Sequence, residues 1–70
     1  MLHLIFSANG IERIHAILRP TDQVVQISKS GILLIDTAKY LSQRALTGTT
    51  IDQSTLARLI HNASAIKGTY

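Results

Sequence analysis

LHLIFSANGIERIHAILRPTDQVVQIS, residues 2–28, is the stretch whose reading decides the fold. Leu2-His3-Leu4-Ile5-Phe6 is short and apolar, which predicts a buried strand, because a helix needs a longer run. Ser7-Ala8-Asn9-Gly10 redirects the chain. Asn9 stands where it can cap a helix while Glu12 reaches back, an arrangement that resembles a capping box. Ile11, Ile14, Ile17 and Leu18 recur at helical spacing and make one apolar stripe. Pro20 ends that helix, since proline disfavours helical geometry at Arg19. Thr21 and Asp22 then turn the chain into Gln23–Ser28, a strand rich in β-branched residues.

Outward from this stretch, Lys29-Ser30-Gly31 forms a loop. Ile32 to Ile35 reads either as a third buried strand or as the first turn of a buried helix. The strand is the preferred reading, because Asp36 and Thr37 then supply the cap of the next helix. That helix is expected to turn Ala38, Leu41, Ala45 and Leu46 inward and to close at Gly48. Thr50-Ile51 is a candidate for brief pairing with the sheet. Asp52 caps a last helix with the stripe Leu56, Leu59, Ile60 and Ala63. Ala65 to Tyr70 is an extra strand or a docking tail. Strand and helix alternate throughout residues 1–70, which predicts one α/β domain: a small, mostly parallel sheet with helices packed on it.

Composition bounds the function. A chain of 70 residues has room for one domain. A core of this size buries only about 60% of the unfolded surface. With no cysteine, disulfides and thiolate metal clips are excluded as staples, and so is any thiolate chemistry in this chain. Oligomerisation is the remaining remedy, and 46% hydrophobic against 16% charged residues fits it. The chain is therefore expected to be a subunit of an oligomer. Leu2 to Phe6 lacks the basic start and cleavage site of a leader, and no run approaches the ~20 apolar residues of a membrane span. A cytoplasmic location is expected, where the sequon Asn62-Ala63-Ser64 carries no meaning.

The net charge is +3, from Arg13, Arg19, Lys29, Lys39, Arg44, Arg58 and Lys67 against four acids. No two of these bases are adjacent, and the only aromatics are Phe6, Tyr40 and Tyr70. Nucleic-acid binders cluster their charges and interleave aromatics for stacking, so a solvated surface with a slight positive bias is the simpler reading. A small basic RNA-binding or regulatory protein, motivated by a pI of 9.8, is the alternative function.

Catalytic patterns are sparse. None of Ser7, Ser28, Ser30, Ser42, Ser54 and Ser64 occupies a Gly-x-Ser-x-Gly elbow. Ser7 is best placed, because open sheets bind ligands beyond the carboxyl ends of parallel strands, but a turn or capping hydroxyl is the preferred reading of it. His3, His15 and His61 have no convergent metal-ligand spacing. His3 reads as a hydrogen-bonded or interface residue, His15 as a partly exposed packing residue, and His61 as a cation suited to a helix C-terminus. Glu12, Asp22, Asp36 and Asp52 fall where caps and turns want them, so paired acid-base carboxylates are not indicated. No cofactor or metal is expected.

Met1-Leu2-His3-Leu4-Ile5, then Ser7, an apolar helix and an acid before strand two resemble the TusB/DsrH family of sulfur-relay subunits. Pro20-Thr21-Asp22-Gln23-Val24-Val25 is similar to that family's turn and strand, and Gly31-Ile32 to the Asp-Gly-Val that ends it. Ile51-Asp52, Leu56, Leu59, His61 and the terminal Tyr70 are similar to its Ile-Asp, helix and final tryptophan. Ser30 stands for the usual aspartate and Tyr70 for the tryptophan. The match covers both ends, with one strand-helix stretch missing after Gly31. Either Asp36 to Leu41 matches the family's first helix beyond that loop, or Ile32 to Leu46 matches the next strand and helix.

The resemblance implies a DsrE/DsrH-like fold and a non-catalytic subunit. Its partners would be TusC-like and TusD-like proteins, or copies of itself, with tRNA reached only indirectly. Such complexes pass persulfide sulfur towards thiolation of the tRNA wobble uridine, or act in sulfur oxidation. The sulfur-carrying cysteine belongs chiefly to the TusD-like partner. His3, Ser7, Tyr40 and Tyr70 are the candidate interface residues.

Overall fold

A computed structural model describes Met1–Tyr70. Its elements are β1 (Leu2–Ile5), α1 (Gly10–Ile14) running into a 3-10 turn (His15–Ile17), β2 (Gln23–Ser28), β3 (Gly31–Ile35), α2 (Thr37–Gln43), β4 (Gly48–Ile51), α3 (Gln53–Asn62) and β5 (Ile66–Thr69). The five strands form one sheet in the order β4-β3-β2-β1-β5.

The sheet is mixed, which corrects the mostly parallel arrangement expected from the alternation of strands and helices. β1 runs parallel to β2 and to β5, while β2–β3 and β3–β4 are antiparallel. Two short returns are responsible. Lys29 and Ser30 alone connect β2 to β3, too few residues for a crossover, so the chain makes a hairpin. Neither residue has a positive φ; Gly31 takes it instead, at 138°. After β3 the chain leaves through α2 and re-enters at the same end of the sheet, where the Asp36 amide donates to the Thr47 carbonyl at 2.8 Å. A helix between strands signals an excursion, and the next strand runs parallel only where the chain crosses to the opposite end of the sheet. Ile32–Ile35 is thus strand, and Ala65–Tyr70 supplies β5.

Strand periodicity sorts the side chains onto two faces. On the first, Ile5, Val24 and Ile35 join Ile11 and Ile14 of α1, Leu18, and Tyr40 of α2 in the core. Each of these fully buried apolar groups contributes roughly 1.5–3 kcal/mol. Gly10 lets α1 lie close on β1, since a Cβ there would overlap Ile5 Cγ2. On the second face lie Leu2, Leu4, Val25, Ile27, Ile32, Leu34, Ile51 and Ile66. Here α3, which links the two sheet edges, supplies half-buried Leu56 and Leu59, followed by half-buried Ala63 at its C-cap, but no buried residue.

Several local expectations are corrected. Asn9 makes no side-chain cap to α1. Ile17 is 56% exposed, because the helix tightens after Ile14 and three residues per turn rotate it off the stripe. α2 buries Thr37 and Tyr40, while Leu41 and Ala45 are half-buried and Ala38 and Leu46 exposed. Its cap, Asp36, sets the start at Thr37, so the inward face runs through Thr37, Tyr40 and Leu41. Arg44, in the left-handed region at φ 55°, closes α2 in place of Gly48, which belongs to β4. Asp36 and Asp52 do cap, accepting from the Lys39 amide at 3.1 Å and the Thr55 amide at 2.8 Å.

Candidate functional site

The buried polar centre lies where β1 begins and β2 is about to begin. Asp22, in the turn before β2, accepts from the Arg19 amide at 3.1 Å and contacts His3 Nε2 at 3.3 Å. The Met1 ammonium lies 3.3 Å from its other oxygen. The Arg19 amide holds the Asp22 carboxyl below its ordinary pKa, against burial that pushes it up, and His3 and the Met1 ammonium add to the lowering. His3 is 1% exposed and its Nδ1 has no partner. Its ring belongs to the interior of this chain. Asp22, read from sequence as a turn residue, is the anchor of this centre; only its position two residues before a strand's first buried valine pointed to it.

Tyr40 is likewise interior, 2% exposed. His15 meets its ring edge-on with centroids 5.6 Å apart, and the Arg44 guanidinium lies 5.9 Å from the ring centre. His15 is half-buried, in keeping with the packing role read for it. Ser7 follows β1, and its Oγ is buried without a hydrogen-bond partner. His3 is four residues away along an extended chain, roughly 13 Å, and its Nε2 faces Asp22. Ser7 and His3 are therefore not brought together, and Ser7 Oγ makes no hydrogen bond to a histidine. His61 lies exposed in the last turn of α3.

At the other end of β1 the surface carries an aromatic clip. Tyr70, 76% exposed, stacks on Phe6 with centroids 4.8 Å apart, and Arg13 donates to the main-chain oxygen of Tyr70 at 2.7 Å. Both exposed aromatics are thus engaged with each other, and one basic side chain is engaged with them.

No three His, Cys, Asp or Glu side chains cluster as metal ligands would. No helix is long and apolar enough to cross a membrane. Two shallow depressions, of about 220 and 320 Å³, flank β3 and β4. On the second face Leu2 and Val25 are buried and Leu4, Ile27, Ile32, Leu34 and Ile51 half-buried, while Ile66 is 46% exposed and Ile60 of α3 38%. Compared with protein-family models, with curated proteins and with solved structures, the chain matches none.

Proposed function

We propose that this chain is a non-catalytic subunit of a sulfur-relay complex of the TusBCD or DsrEFH kind, with a DsrE/DsrH-like domain serving as scaffold. The observation that carries the reading is the incomplete second layer. Only nine apolar residues are buried in a chain that is 46% hydrophobic, and α3 buries none. A partner chain laid over α3 and the apolar residues around it supplies the missing cover. The absence of cysteine supports the scaffold role, because the transferred sulfur must then ride on a partner's cysteine. The ordered resemblance of both chain ends supports this choice of assembly.

Reconstitution tests it. Persulfide transfer from the TusD-like protein is measured with the TusC-like protein, with and without this chain. Transfer is expected to require this chain while leaving no label on it, and Ser7→Ala is expected to leave the rate unchanged. Equal transfer without the chain would overturn the proposal.

A further inference from the structure

We propose that β4 is a self-pairing edge, through which two copies of this chain join their sheets antiparallel about a two-fold axis. β4 ends the sheet, so one side of its main chain has no partner strand. Which groups are free follows from the ladder. Hydrogen-bonded pairs alternate along antiparallel strands. The Asp36 amide bonds the Thr47 carbonyl, which puts Leu34–Thr49 and Ile32–Ile51 in the bonded set. The closeness of the Leu34 carbonyl oxygen to Gly48 agrees, since that oxygen must face β4. The N–H and C=O groups of Gly48 and Thr50 therefore point outward.

These groups are self-complementary. With Thr49 opposite its own copy, each Gly48 faces the other chain's Thr50, and four main-chain hydrogen bonds close the seam. Edge strands are ordinarily guarded by charge, proline or a bulge. Gly48-Thr49-Thr50-Ile51 has no charge and no proline, and its register with β3 is unbroken; the opposite edge, β5, carries Lys67. Charge favours a second copy. Antiparallel pairing sets the end of β4 that follows Arg44 beside the end that precedes Asp52, so opposite charges flank the seam.

The inference stands apart from the sulfur-relay reading, and the full chain alone tests it. Sedimentation over a concentration series is compared for the native chain and Thr50→Pro. Proline removes only an outward N–H and leaves the β3–β4 ladder intact. A concentration-dependent dimer is expected in the native chain, weakened tenfold or more, as an order of magnitude, when two seam hydrogen bonds are lost. Thr49→Lys, which opposes two cations at the axis, is expected to weaken it as well. In hydrogen exchange, the Gly48 and Thr50 amides are expected to gain protection with concentration. A monomer at all concentrations, or a dimer indifferent to both variants with those amides unprotected, would overturn the proposal.

Discussion

His3 Nε2 and Asp22 Oδ2 stand 3.3 Å apart, tying the first strand to the turn that launches the second. Both side chains are nearly inaccessible, and the Arg19 amide shares the same carboxylate oxygen. One acidic group thus satisfies a ring nitrogen, a main-chain amide and an ammonium.

Asp22→Ala removes that shared acceptor and leaves His3 and the Arg19 amide unpaired. A loss of about 1–3 kcal/mol is expected, seen as a lower denaturant midpoint at unchanged slope. An unchanged midpoint would show that water replaces the carboxylate without loss.

The same group sets the acid response. Its folded pKa lies below its unfolded value, so its contribution is complete above the unfolded pKa of about 3.9 and is lost as pH falls through the folded one. Thermal midpoints are expected to fall below about pH 4. In Asp22→Asn this part of the pH dependence should flatten.

Gly10→Ala sets a methyl group on Ile5 Cγ2, where α1 lies against β1. Overpacking of this kind costs about 1–3 kcal/mol. Stability should drop, and Ile5→Ala, which removes Cγ2, should cost less in this background than in the native chain. An equal cost of Ile5→Ala in both backgrounds would place the strain elsewhere.

The caps of α1 and α3 should differ. Asp52 accepts from the Thr55 amide, so Asp52→Ala should lower the denaturation midpoint. Asn9→Ala, where no side-chain bond forms, should stay within about 0.5 kcal/mol of the native chain. The two denaturation curves decide this directly.

Strand content was legible where composition and period agreed: Gln23–Ser28 was bounded correctly by its β-branched run between two turns. The sense of the strands was not legible, because sheet direction depends on connection length and on where the chain re-enters. The Lys29-Ser30 turn resolves the first return, and the Asp36–Thr47 bond, between residues distant in sequence, resolves the second. Ile17 escaped because a helical period persists in sequence after the backbone has tightened. At the site, His3 was readable as hydrogen-bonded but its partner was not, since a turn aspartate and a buried one look alike until the fold closes. Tyr40 and Tyr70 had no periodic signal to separate them, yet one is core and the other surface.

The central claim is that other chains complete the half-covered layer beneath α3. The most direct measurement is the light-scattering mass of this chain co-expressed with TusC-like and TusD-like proteins. One species containing all three is expected, well above the 7.7 kDa of this chain. Elution of this chain apart from both proteins, at 7.7 kDa and at every concentration tried, would contradict it.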